Sequence, residues 1–121
     1  MAKHHHTGQK GEEIAREYLM SHGYQILETN WRFSKAEVDL IAMDGDVMVF
    51  VEVKTRSGEH FGFPEQFVSA RKEQLMMDAA AVYTSRVGHE WEIRFDIISI
   101  ITKGNYSELT HIKDAFFDGW G

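Results

Sequence analysis

Two runs of β-forming residues set the frame for this chain. Glu37-Val38-Asp39-Leu40-Ile41-Ala42-Met43 and Asp46-Val47-Met48-Val49-Phe50-Val51-Glu52-Val53-Lys54 flank the dipeptide Asp44-Gly45, which is favoured at the centre of two-residue hairpin turns. With that dipeptide as the turn centre, Met43 faces Asp46 and Asp39 faces Phe50. Side chains alternate between the faces of a sheet, and opposed residues share one. One face then carries Val38, Leu40, Ala42, Val47, Val49, Val51 and Val53, wholly apolar and therefore core. The other carries Glu37, Asp39, Ile41, Met48, Phe50, Glu52 and Lys54, with the charges gathered at one end.

The rest of the chain supplies partners for this hairpin. From about Lys10 to Ser21, Ile14, Ala15, Tyr18 and Leu19 form one stripe at helical spacing, and Gly23 suits a left-handed helix stop. Tyr24 to Phe33 reads as a strand. Thr55 to Phe63 reads as a loop, and Pro64 can open a second helix whose inward stripe is Phe67/Val68, Leu75, Ala79 and Val82. Trp91 to Ile101 is apolar on both faces, as in a central strand. Lys103-Gly104-Asn105 is a turn, and Leu109 to Trp120 docks as a last strand or helical turn. The expected class is α/β: a mixed sheet flanked by helices in the order α-β-β-β-α-β, followed by a tail. Met1 to about Gly8, with His4, His5 and His6, reads as a mobile, solvated tail, and residues 9–121 as a single domain.

Composition narrows the function classes. The 121 residues suit one domain with a real core. No cysteine is present, which excludes disulfides, thiolate metal sites and cysteine nucleophiles. No apolar run approaches the ~20 residues of a membrane span, and no signal-peptide core stands at the N-terminus, so no membrane association and a cytoplasmic location are expected. The net charge of −6 speaks against a sequence-independent nucleic-acid binder. It leaves a nuclease open, because carboxylates that hold divalent cations count as negative until the metal arrives.

The chemistry concentrates on the charged end of the hairpin. In the register above Glu52 is the diagonal neighbour of Asp39, about 7–8 Å away at Cα, and two carboxylates converge on one cation across such a gap. Hard oxygen ligands suit Mg²⁺ or Mn²⁺. Lys54 projects beside Glu52 and is placed to stabilise developing negative charge. A bare Glu-x-Lys is otherwise an ordinary solvated strand end, so the Asp one arm away carries the argument. Glu12 follows the buried stripe of its helix, whereas Glu13 does not. That position suits a metal-linked carboxylate, and equally an acidic residue favoured by the helix dipole. Lys72 lies on the inward stripe and either reaches the site or extends to solvent. Arg32, Lys35, Arg56 and Arg71 border the site in sequence and suit a phosphate backbone, or simply solubility. His22, His60, His89 and His111 show no ligand spacing. Phe116, Phe117 and Trp120 suit packing or self-association, which leaves a homodimer open.

Longer strings carry a resemblance. Asp39…Glu52-Val53-Lys54 matches the D…(D/E)-x-K signature of the PD-(D/E)XK superfamily. With Gly11-Glu12-Glu13-Ile14-Ala15, Asn30-Trp31-Arg32-Phe33, Glu37-Val38-Asp39-Leu40-Ile41, Phe61-Gly62-x-Pro64 and Arg94-Phe95-Asp96, it resembles the YraN-like family of small bacterial proteins, similar in fold to archaeal Holliday-junction resolvases. The resemblance runs from about Lys10 to Phe117 and departs at Ala36, where the family usually has Gly. It implies a restriction-endonuclease-like core and a carboxylate–lysine set at Glu12, Asp39, Glu52 and Lys54, with Asp39 and Glu52 as metal ligands. Taken with the residue reading, the expectation is a nuclease that uses Mg²⁺ or Mn²⁺ on DNA, with Arg32, Arg56 and Lys72 as candidate substrate contacts. The competing expectation is a catalytically silent module of the same fold that binds nucleic acid or protein.

Overall fold

The hairpin turns one residue later than its Asp-Gly dipeptide suggests. In the computed structural model, which describes residues 2–5, 11–57 and 69–116, the third and fourth strands are Ala36–Asp44 and Val47–Ser57 (β3 and β4). Asp44 pairs with Val47 and Met43 with Met48, so Gly45 and Asp46 form the turn. The cause is local. Gly45 takes the positive φ of 61°, which costs a glycine little and an aspartate more. Asp44 stays in the strand and accepts a hydrogen bond from Arg94 NH1 at 3.1 Å. The expected register therefore shifts by two residues. Parity is preserved, so the paired residues from Leu40 to Val51 keep their faces, but Asp39 now falls opposite Glu52 instead of Phe50, one step beyond the Leu40–Val51 pair.

Backbone pairing between β3 and β4 stops at Leu40–Val51. On its other side β3 pairs with β2 (Gln25–Phe33), and there the ladder skips Asn30 and Asp39 between the pairs Thr29–Leu40 and Trp31–Val38. Asn30 sits at φ 52°, the left-handed region that asparagine tolerates better than most residues. Alternation breaks at this crease. Leu40 and Ala42 pack on one face of the sheet, while Ala36, Val38, Trp31 and Phe33 pack on the other. Val38 therefore does not share a core with Leu40 as strict alternation predicts. The crease is what frees Asp39 from regular strand geometry.

The sheet has six strands among the described residues, in the order β1-β6-β5-β4-β3-β2. The remaining strands are β1 (Ala2–His5), β5 (Ile93–Lys103) and β6 (Tyr106–Ile112). Only β4 and β5 run parallel, joined through helix α2 (Ala70–Val87); the other neighbours are antiparallel. The expected α-β-β-β-α-β order is present and is extended by β6, which fills the place left for a last strand. The stretch expected as a tail contributes β1, paired with β6 from Ala2–Leu109 to His5–Tyr106. The architecture is a mixed α/β sheet with helices on both faces, consistent with a restriction-endonuclease-like core.

Each helix covers one face. Helix α1 (Gly11–Ser21) lays Ile14, Ala15 and Leu19 on Leu40, Ala42, Val49, Val51, Ile98 and Ile100. Helix α2 lays Met76, Ala79, Ala80 and Tyr83 on Val38, Ile41, Met48 and Phe50. Both faces of β4 are thus buried, which explains its near-continuous apolar run. Burial of each large side chain such as Phe50 contributes about 1.5–3 kcal/mol. Helix α2 begins at Ala70, capped by the Ser69 side chain, which accepts from Lys72 N at 3.1 Å. A helix opening at Pro64, with Phe67 and Val68 on its stripe, falls outside the described residues, as does the loop from Gly58 to Phe63.

Candidate functional site

The parting of β3 and β4 creates a place for charge inside the sheet. Glu52 is the next residue of β4 after the last ladder pair, and it is only 2% exposed. Its Oε2 receives Lys72 Nζ at 2.6 Å and Lys54 Nζ at 3.2 Å. Its Oε1 is buried and has no hydrogen-bond partner among the described residues. Asp39 turns its Oδ2 onto Val53 N–H at 2.8 Å. A side chain thus takes the donor that a continued ladder would have used, which fixes the carboxylate beside Glu52. Burial pushes the Asp39 pKa up from 3.8 to about 7; the Glu52 and Glu12 charges add to this, and the Val53 N–H and Lys72 oppose it.

Glu12 approaches from the other face. It is half-buried in the first turn of α1, whereas Glu13 is exposed. Gly11 makes that placement possible, because a Cβ there would collide with the Thr55 hydroxyl on β4. Glu12 acts on Asp39 electrostatically, but among the described residues no group of three or more His, Cys, Asp or Glu side chains converges as a metal-ligand cluster. The structure therefore brings Asp39, Glu52, Lys54 and Lys72 together and leaves Glu12 on their flank.

Beside Lys72 opens a cleft of about 370 Å³. Lys35, Glu37, Ser69, Arg71 and Lys72 line it, with Ala36, Leu75 and Met76 as its apolar part. Three cations and the N-terminus of an 18-residue helix face this space, a combination that attracts anions.

The profile of the uncharacterised protein family UPF0102 matches residues 11–100, which include the whole Asp39–Glu52–Lys54–Lys72 group. The chain belongs to the UPF0102 family. It is 44% identical to a UPF0102 protein of Flavobacterium psychrophilum and 46% identical to one of Christiangramia forsetii, in each case over 97% of this chain and 98% of the relative. A UPF0102 protein of Thermodesulfovibrio yellowstonii is 42% identical over 91% of this chain and 95% of its own length.

In this UPF0102 fold the other expected contacts are dispersed. The Arg32 side chain is 74% exposed and pairs with Glu37 at 3.5 Å, at the rim of the cleft. Arg56 follows Lys54 by two residues on β4 and is half-buried. Lys72, for which reaching the site and extending to solvent are both open from sequence, reaches Glu52.

A second buried polar group has no role in the sequence reading, although Arg94-Phe95-Asp96 is among the strings that carry the resemblance. Asp96 is fully buried; its oxygens accept from Arg94 Nε at 2.9 Å and NH2 at 3.0 Å, His111 Nε2 at 2.7 Å and Asp114 N–H at 3.0 Å. Arg94 NH2 also reaches Tyr24 Oη at 2.9 Å, and His111 Nδ1 lies 3.0 Å from Tyr18 Oη. Burial alone would raise the Asp96 pKa, yet the His111, Arg94 and Asp114 hydrogen bonds hold it below its ordinary value. Arg94 and Asp96 are neighbours on β5, but Tyr18, Tyr24, His111 and Asp114 reach them only through tertiary packing, so no spacing rule exposes the group. No helix of the described residues is long and apolar enough to cross a membrane.

Proposed function

We propose that this protein is a divalent-metal-dependent nuclease of the PD-(D/E)XK type that hydrolyses phosphodiester bonds in DNA, branched or flapped DNA among its substrates. The observation that carries the reading is Glu52 Oε1, a buried carboxylate oxygen without a partner among the described residues, beside a second carboxylate. An orphaned buried oxygen costs about 1–3 kcal/mol or more when charged, and a cation offsets that cost. The donor set fits Mg²⁺ or Mn²⁺, which favour oxygen ligands. Asp39 and Glu52 would hold the ion, with Glu12 completing the charge from α1. The chemistry such an ion supplies when bound is acidification of a water and polarisation of a phosphoryl oxygen.

The protein's own groups do the rest. Lys54, 3.2 Å from Glu52, is placed to stabilise negative charge as the water oxygen bonds to phosphorus and the P–O bond to the sugar breaks. Lys35, Arg71 and Lys72 line the adjacent cleft and would hold the backbone, with Arg32 and Arg56 as outlying contacts. Branched, flapped and single-stranded DNA incubated with Mn²⁺ at low salt tests the reading. Glu52→Gln abolishes Mn²⁺ binding and cleavage while melting near the parent in EDTA. Lys54→Met still binds Mn²⁺ and loses turnover by about 10²–10³-fold. A parent chain that cleaves none of these substrates overturns the enzyme reading.

The alternative, a silent binding module with the same fold, draws on the two lysines that already neutralise Glu52 and on the net charge of −6. A parent that binds DNA without cleaving it would favour that alternative.

A further inference from the structure

The cations around Glu52 are unevenly shared. Oε2 carries both Lys72 and Lys54, at 2.6 and 3.2 Å, while Oε1 carries no partner among the described residues. Asp96, equally buried, has donors on both of its oxygens. The two lysines differ in origin. Lys54 stands on β4 itself, and its side chain is 21% exposed. Lys72 stands in the first turn of α2, its side chain is 38% exposed, and it also lines the cleft with Lys35 and Arg71. A lysine ammonium rides on a flexible four-carbon stem. Rotation about the Lys72 side-chain bonds carries Nζ from Glu52 into the cleft with no change in the backbone.

We infer that Lys72 is an internal cation that occupies Glu52 until a divalent ion displaces it into the neighbouring cleft, where it becomes a ligand for a DNA phosphate. The inference rests on the metal-site reading above and adds regulation to that site. A divalent ion and an ammonium on one carboxylate repel each other, so the more mobile of the two lysines yields. Among the described residues that line the cleft, Glu37 is the one acid against Lys35 and Arg71, so a freed Lys72 there completes a phosphate site. Binding couplings are reciprocal. The ion frees Lys72 for phosphate, and phosphate that retains Lys72 opens Glu52 to the ion.

Two titrations on the intact chain test this. The first follows Mn²⁺ by calorimetry in the parent, Lys72→Met and Arg71→Met. Arg71 lines the same cleft and takes no part in the Glu52 ion pairs, so it reports the effect of removing any nearby positive charge. Lys72→Met binds Mn²⁺ about tenfold more tightly than the parent, and Arg71→Met stays within about twofold. The second follows a labelled DNA duplex by anisotropy with and without Ca²⁺. Ca²⁺ tightens DNA binding in the parent, and most of that gain disappears in Lys72→Met. Melting in EDTA verifies folding, and Lys72→Gln replaces the Met variant if the latter unfolds. Mn²⁺ binding by Lys72→Met but not by the parent also supports the latch. Equal affinities in the two overturn it and leave the metal site standing, as does a gain in Arg71→Met as large as in Lys72→Met. Failure of both parent and variant to bind Mn²⁺ overturns the latch together with the metal reading.

Discussion

The protein buries two carboxylates in one sheet and treats them in opposite ways. Asp96 on β5 is enclosed by four donor contacts that use both of its oxygens, and they keep it ionised. Glu52 on β4 is almost as buried, yet it crowds two ammonium groups onto one oxygen and leaves the other bare among the described residues. Its neighbour Asp39 is pushed up to about 7, burial and the Glu52 charge being the largest causes. A satisfied buried carboxylate contributes to holding the fold. An unsatisfied one next to a second carboxylate costs stability, and such costs concentrate where a ligand can relieve them. Helix α1 touches both regions, through Tyr18 at His111 and through Glu12 near Asp39.

The largest effect should come from the satisfied region. Asp96→Ala takes one of two carboxylates from Arg94, which keeps Asp44, and leaves His111 Nε2 and Asp114 N–H without their acceptor inside the protein, a change that costs about 3–5 kcal/mol. The melting temperature falls by on the order of 10 °C or more. The sign with pH follows from the lowered Asp96 pKa. The stability that Asp96 contributes is fully present above the ordinary carboxylate range and is lost as pH falls through its lower folded value. Melting curves of parent and variant therefore converge in acid. If Asp96→Ala melts with the parent at pH 7, the two carboxylates do not differ as described.

A smaller effect tests the bridge between the regions. Gly11→Ala improves helix propensity but drives a Cβ into Thr55. Overpacking of this kind typically costs 1–3 kcal/mol, and a net loss of about 2 kcal/mol is expected. Thr55→Ala in the same chain should recover most of it, since it removes the colliding hydroxyl. A double-mutant cycle by urea denaturation measures the recovery. Additive costs would show that the close approach of α1 to β4 does not set the position of Glu12.

What the sequence reveals of this fold follows the range of the signal. Ile14, Ala15 and Leu19 declare α1 at helical spacing, and Ile97, Ile98 and Ile100 declare a strand buried on both faces. The Asp39–Glu52–Lys54 grouping is legible because parity along the hairpin survives the two-residue register shift. The shift itself is not legible. It depends on Arg94, 50 residues beyond Asp44. The crease at Asn30 and Asp39 is hidden for a similar reason, since a single left-handed asparagine leaves no periodic trace. The docking of Lys72 on Glu52 requires α2 to lie across β4, and helical spacing alone leaves both fates of that lysine open. The Asp96 network is the extreme case, assembled from Tyr18, Tyr24, Arg94, His111 and Asp114 by tertiary packing.

The smallest effect should come from Asp39, and its sign is opposite to that of Asp96. Asp39→Asn keeps an oxygen that can accept the Val53 N–H and removes the charge that burial and Glu52 oppose. The folded pKa of about 7 lies above the ordinary value of 3.8. Between those values the folded chain holds a proton that the unfolded chain releases, so stability falls as pH rises from about 4 and levels off above 7. The variant lacks this loss. It is therefore more stable than the parent at pH 8, by about 1 kcal/mol once partial exposure and solvent screening are allowed for, and the gain shrinks as pH falls toward 4. Metal binding distinguishes this relief from a general gain in packing. Saturating Mn²⁺ should stabilise the parent and do little for Asp39→Asn, so that the order of the two melting temperatures reverses at pH 8. If Asp39→Asn is instead less stable than the parent at pH 8 without metal, Asp39 is as well satisfied as Asp96, and the contrast between Asp96 and the Glu52–Asp39 pair fails at its most exposed member.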